Sequence, residues 1–181
     1  MIMSSYCSVL RNALYTKYLK HKYSLSIGRK SYFLGKADID TRKSISIGDN
    51  CLFFPWVVLR DWGGYIKIGD NCTINSFCYI NGNGGVEIGD NVRIAPQCVI
   101  VSVNHKFEDI DVPIYMQGVS TKKIIIEEDC WLGANVKVLA GVHIGKGCVI
   151  GAGSVVTHDI EPFSVAVGVP ARIIKSRNKE K

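Results

Sequence analysis

Four histidines, His21, His105, His143 and His158, supply the side chains whose proton transfer falls nearest neutral pH. A histidine within hydrogen-bond reach of an alcohol, about 2.6–3.2 Å, can take its proton and turn a weak nucleophile into a competent one. Seven cysteines offer a second route, covalent catalysis through a thiolate. They form no CxxC pair and no His/Cys metal spacing, and their odd number argues against a disulfide framework. Six of them, Cys51, Cys72, Cys78, Cys98, Cys130 and Cys148, stand two residues before a member of a regular apolar series. That position reads as inward-facing, and buried thiols behave as small, inert hydrophobes. Cys7 falls in a separate N-terminal segment. The chemistry is therefore expected from a histidine.

The elements that must hold such a histidine follow from the apolar series. Ile126, Leu132, Val138, Ile144, Ile150 and Val156 fall six apart without a break, and the same step joins Ile68, Ile74 and Ile80, then Ile88, Ile94 and Ile100, and Ile47 with Phe53. A spacing of six does not keep to one face of an α-helix. Two inward residues flanking one outward residue make a short strand instead, with a corner after each. Three such hexads per turn give a three-sided solenoid. Residues 45–100 and 124–160 supply five or six coils, about 25–30 Å tall at roughly 4.8 Å per coil. Gly28, Gly48, Gly69, Gly89, Gly133, Gly145 and Gly151 follow repeat residues directly, and we expect them to supply the positive φ of tight corners. The Asp49-Asn50, Asp70-Asn71 and Asp90-Asn91 pairs add further turn formers.

The register breaks twice, between Asp61 and Tyr65 and, more widely, between Ile100 and Ile126, a step that is not a multiple of six. A loop must leave the solenoid at the second break. His105 lies inside it, whereas His143 sits on a coil wall, His158 closes the last hexad run and His21 lies beyond an N-terminal helix expected over residues 5–20. Extruded loops on rigid scaffolds are where function concentrates.

Composition narrows the partners. Of 181 residues, 47% are hydrophobic, 21% are charged and 18 are glycine, which suits one globular domain rich in turns and excludes disorder. The net charge of +6 sits at the ends: residues 1–37 carry seven Lys or Arg and no acid, 38–171 carry ten basic and fifteen acidic groups, and 172–181 carry five basic and one acidic. An acidic body without a basic, aromatic-interleaved stripe excludes nucleic acid as the expected partner. No stretch reaches the roughly 18 apolar residues of a membrane span, and Met1 to Lys20 lacks the pattern of a signal peptide. The expected address is the cytoplasm, with the basic N-terminal helix as a candidate contact to the inner face of the membrane.

These repeats, the segment Ser102-Val103-Asn104-His105-Lys106-Phe107, the run Cys130-Trp131-Leu132-Gly133, and the stretches Gly151-Ala152-Gly153-Ser154-Val155-Val156-Thr157 and Val167-Gly168-Val169-Pro170-Ala171-Arg172 resemble the hexapeptide-repeat acyltransferases. The likeness is to the sugar O-acetyltransferase branch, which includes colanic acid, O-antigen and galactoside acetyltransferases. The resemblance implies an all-β, left-handed parallel β-helix over residues 27–160 with its active-site loop at 101–123. An N-terminal basic helical segment (1–26) precedes it, and a C-terminal cofactor-binding basic tail (161–181) follows.

It also implies acetyl-coenzyme A as co-substrate without a metal, a homotrimer with the site between prisms, and a small-molecule or glycan acceptor. Residue by residue, it implies His105 as general base, Asn75 and Asn104 at the acceptor, and Trp131, Gly133, Ala134, Ala152, Thr157, Arg172 and Lys175 at the cofactor. A backbone N–H in Gly133-Ala134 would hold the oxyanion. Lys175 stands where some relatives carry arginine. Three other readings use the same fold: an antibiotic or other xenobiotic O-acetyltransferase, a γ-carbonic anhydrase-like metal enzyme, and a non-catalytic assembly module. The metal enzyme would need a close histidine pair, which 105, 143 and 158 do not provide.

Overall fold

In the computed structural model, residues 2–42 and 44–178 are described, residues 2–9 as backbone alone. Tyr6 and Cys7 therefore have side chains outside the described residues. The chain winds into a left-handed parallel β-helix of about seven turns. Its three faces are parallel sheets. Face A runs from Ser26–Ile27 to His143–Ile144, face B from Tyr32–Phe33 to Ser164–Val167, and face C from Asp38–Asp40 to Val155–Val156. The right-handed rule for parallel crossovers rests on a helix packing back on the sheet. Here the strands are joined by short corners, so that rule has no hold.

The apolar series become stacked columns. On face A, Ile27 pairs with Ile47, Ile47 with Ile68, Ile68 with Ile88, Ile88 with Ile126 and Ile126 with Ile144. All are buried. The number of coils exceeds the five or six expected, because residues 27–42 add strands of their own to all three faces. Ile27, Phe33 and Ile39 enter the columns there, and Phe33 stacks on Phe53 with ring centroids 4.5 Å apart. This coil escaped the periodicity because it lacks the Gly-Asp-Asn corner and carries Ser31 where later coils have cysteine.

Corner chemistry is divided differently from expectation. Positive φ belongs to the asparagines, Asn50 at 57°, Asn71 at 56° and Asn91 at 61°, whereas none of the seven glycines following repeat residues adopts it. Those glycines permit close stacking. A Cβ on Gly48 would stand 2.7 Å from the carbonyl carbon of Gly69, and one on Gly133 would stand 2.6 Å from the Ala152 nitrogen. The intervening aspartates staple successive coils: Asp49 accepts from the N–H of Arg29, Asp70 from that of Asp49 and Asp90 from that of Asp70, each at 2.7 Å.

Both ends of the prism are covered, as exposed sheet edges require. At the start, the helix Ile2–Tyr23, longer than the expected 5–20, buries Leu19 against the first coil. Thr16 Oγ1 accepts from the Phe33 N–H at 2.8 Å, and the Tyr15 hydroxyl accepts from the Ala37 N–H at 3.1 Å. At the far end, Arg172–Ser176 pairs antiparallel with Ser164–Val167.

Candidate functional site

The chain leaves the prism at the end of the face C strand Val99–Val101, at the edge between faces C and A. Ser102 anchors the departure: its buried Oγ donates to the Asn81 carbonyl at 2.8 Å and accepts from the Gly84 N–H at 2.9 Å. Strand Val103–His105 then pairs antiparallel with Val119–Thr121, with His105 opposite Val119. The expected loop is thus a built hairpin. Its tip is tied by Gln117, whose Nε2 donates to the carbonyls of Asp109 and Val112, both at 2.7 Å. Phe107, Ile110, Ile114, Tyr115 and Met116 stand exposed along it, Ile110 at 94%.

His105 opens onto a cavity of about 270 Å³ that Trp62, Asn83, Val103, Asn104 and Val119 also line. The structure thus joins Asn104 and His105 with two residues from the coils below. Trp62 Nε1 donates to Asp40 Oδ2 at 2.9 Å, and Asn83 Nδ2 donates to the Trp62 carbonyl at 2.5 Å. Directly beneath, the fully buried Asp61 accepts from the backbone N–H groups of Arg42 and Ser44 and from the Thr41 hydroxyl. The shorter register break at Asp61–Tyr65 therefore contributes Trp62 to the cavity wall. Neither Trp62 nor Asn83 is among the residues that the sequence motifs single out. The setting of Asn83 in Gly82-Asn83-Gly84-Gly85 was the available signal. Among the described residues no side chain hydrogen-bonds the His105 ring.

A second group occupies face B and the edge between faces B and C. Trp131 lies on face B, 55% exposed. Its row continues through Val149 and Val165 to Lys175, three strands away. Arg172 is exposed on the same closing strand. At the corner after Trp131, the Gly133 N–H is already given to the Ile150 carbonyl at 2.8 Å. The Ala134 N–H donates to no group within the described chain. Ala152 is exposed one coil above. Asn75 shares this edge, but its Nδ2 is held by the Ile94 carbonyl at 2.9 Å.

Thr157 does not join this second group. It follows Val155–Val156 at the C–A edge, the edge from which the His105 hairpin departs, and its Oγ1 lies 2.8 Å from His158 Nδ1. Within one chain both sets are thus divided between two edges, with His105, Asn104 and Thr157 at one and Asn75, Trp131 and Ala152 at the other.

The remaining candidates are structural. Cys51, Cys72, Cys78, Cys98, Cys130 and Cys148 are all buried and free. Cys72 Sγ donates to the Gly89 carbonyl and Cys98 Sγ to the Gly133 carbonyl, both at 3.1 Å. Its neighbour Cys51, and next burial, push the Cys72 thiol up, away from the reactive thiolate. His143 Nε2 meets Glu127 Oε1 at 2.9 Å on face A. Among the described residues no three His, Cys, Asp or Glu side chains gather into a set that could hold a metal.

Comparison with known proteins places this geometry in context. The bacterial transferase hexapeptide (six repeats) matches residues 65–102, and the hexapeptide repeat of succinyl-transferase matches residues 123–158. The putative lipopolysaccharide biosynthesis O-acetyl transferase WbbJ of Escherichia coli K12 is 37% identical over 145 residues, 76% of this chain and 74% of that protein. The probable acetyltransferase Rv3034c of Mycobacterium tuberculosis is 35% identical over 161 residues, 83% of this chain. The match covers 52% of Rv3034c, so the chain spans about half the length of that relative. Among solved structures, AntD, an N-acyltransferase from Bacillus cereus in complex with dTDP and 3-hydroxybutyryl-CoA, superposes with a TM-score of 0.78. It is 25% identical, over 90% of this chain and 88% of that one.

Proposed function

The chain belongs to the hexapeptide-repeat transferases, and from that membership we propose that it moves an acetyl group from acetyl-coenzyme A to a hydroxyl of a sugar or glycan precursor. The observation that carries the reading is the exposed His105 in a cavity walled by Trp62 and Asn83, where an aromatic face and polar groups suit a sugar ring.

In this reading His105 takes the acceptor's hydroxyl proton as the oxygen attacks the thioester carbon, and the carbon–sulfur bond breaks as the ester forms. The proton then passes from His105 to the departing thiolate. The Ala134 N–H is the donor left to hold the oxyanion, since Gly133 spends its own on the coil above. Trp131, Ala152, Thr157, Arg172 and Lys175 bind the coenzyme, the two cations at its phosphates. Asn75 and Asn104 face the acceptor.

The division between two edges supports a homotrimer in which the C–A edge of one prism, with His105 and Thr157, meets the B–C edge of its neighbour. The apolar hairpin tip supports the same assembly, because a run of exposed Phe107, Ile110, Tyr115 and Met116 calls for a covering surface. An amine acceptor is the second reading, favoured by the overall likeness to an N-acyltransferase.

The test is release of free thiol from acetyl-coenzyme A with a panel of sugars and amino sugars. Turnover on a hydroxyl acceptor, cut about 10²–10⁴-fold in His105→Ala, is the expected result. Turnover on amino sugars alone would select the second reading, and full turnover without His105 would remove it from the chemistry.

A further inference from the structure

The helix that closes the prism's first coil carries apolar residues on two opposite sides. One side is spent on the fold: Leu19 is buried, and Thr16 and Tyr15 hold the N–H groups of Phe33 and Ala37. At 3.6 residues per turn, Leu10 and Leu14 stand on the other side, and Tyr18, its ring 6.3 Å from that of Tyr15, continues their line towards the prism wall. Leu10, Leu14 and Tyr18 are 63%, 60% and 53% exposed. Exposed cations flank this ridge, Lys17 along one side and Arg11 and Lys22 along the other. Lys22 Nζ lies 5.6 Å from the centre of the Tyr18 ring. Lys20 is not among them, because its Nζ is given to the Ile27 carbonyl at 2.8 Å.

An apolar ridge between two rows of cations matches the surface of an anionic bilayer, where acyl chains lie beneath negatively charged headgroups. We propose that this end of the prism docks on an anionic membrane surface, with Leu10 and Leu14 entering the interface and Arg11, Lys17 and Lys22 meeting the headgroups. Charge argues against the other obvious occupant, a second copy of the same end. Residues 1–37 hold seven Lys or Arg and no acid, so two such ends brought together would repel. Among the described residues no helix is long and apolar enough to cross a membrane, so the contact is peripheral. Because the helix caps the prism's end, a cyclic assembly of parallel prisms would present one ridge per chain on a single side and bind by avidity. Only that last step rests on the trimer proposed above.

Flotation of the full-length protein with phosphatidylcholine vesicles, with and without phosphatidylglycerol, tests the proposal. The protein should float with the mixed vesicles and not with phosphatidylcholine alone. Arg11→Gln with Lys17→Gln should weaken partitioning about thirty-fold, the surface attraction of two cations. Leu10→Ser with Leu14→Ser should release the protein. All four side chains are exposed, so thermal melts should match the parent and keep folding out of the readout. No flotation, equal flotation on both vesicles, or variants that float like the parent would each overturn it. So would Leu10→Ser with Leu14→Ser changing the oligomeric state without lipid, which would give the ridge to a second copy.

Discussion

His105 and Trp131 stand on opposite sides of face C. The histidine follows the strand Val99–Val101 at one edge, and the tryptophan lies on face B before the corner leading to Lys137–Val138, which stacks directly on that strand. In the proposed reaction both serve one centre, although a face of the prism lies between them within one chain. The proposed homotrimer brings them together from neighbouring chains.

That separation predicts complementation between chains. Neither His105→Ala nor Ala152→Trp should turn over alone, the first lacking its base and the second having its cofactor surface blocked. Co-expressed with different tags and purified through both, the mixed trimers should recover about a third of parental activity, since each holds one edge pair of three in which both partners are intact. Recovery of none, with mixed oligomers present, would place the whole site in a single chain.

Stacking distance predicts the cost of a methyl group at Gly48. Gly48→Ala should destabilise the protein by about 1–3 kcal/mol, because its Cβ meets the backbone of the next coil. Gly118→Ala on the hairpin meets nothing within 4 Å and suffers only from its φ of 77°, at a cost of about 1 kcal/mol. Thermal melts compare the two.

A surface pair predicts a pH window. The Tyr65 hydroxyl donates to Glu87 Oε1 at 2.6 Å. This bond holds the Glu87 carboxyl below its usual 4.5 and pushes the Tyr65 phenol from 10.0 up to about 12. A depressed carboxylate contributes stability above its unfolded value and loses it as pH falls through the folded one. A raised phenol contributes below 10.0 and loses it as pH rises towards about 12. Tyr65→Phe should therefore cost about 1 kcal/mol or less between pH 5 and 9, since the pair is partly solvated. Denaturant melts across the pH range should show the difference narrowing on both sides.

The buried thiols predict inert cysteines. Cys72→Ala should cost about 1–2 kcal/mol, through lost packing and an orphaned Gly89 carbonyl. The turnover of folded protein should be unchanged, and alkylation of Cys72 in the native chain should be slow. Loss of rate at full stability would reopen thiol chemistry.

Much of this was legible in the chain. The spacing of six identified the solenoid, because a strand with two inward positions and a corner is a local pattern that each hexad repeats. The break between Ile100 and Ile126 placed His105 outside the coils. The first coil was harder to see, since Phe33 and Ile39 continue the columns without the corner residues that mark later coils. The reason for the corner glycines was misread, because the clash they avoid lies about 20 residues away, in the coil above.

Local order determined which side chains point inward and where the chain leaves the prism. Only winding decided which residues from different coils share an edge. Trp62 and Asn83 reach His105 because roughly one turn separates each from the next, a distance in sequence that no short motif reports. Winding likewise placed Ala134 and Ala152 together on the other edge, where the N–H of neither donates to a group among the described residues.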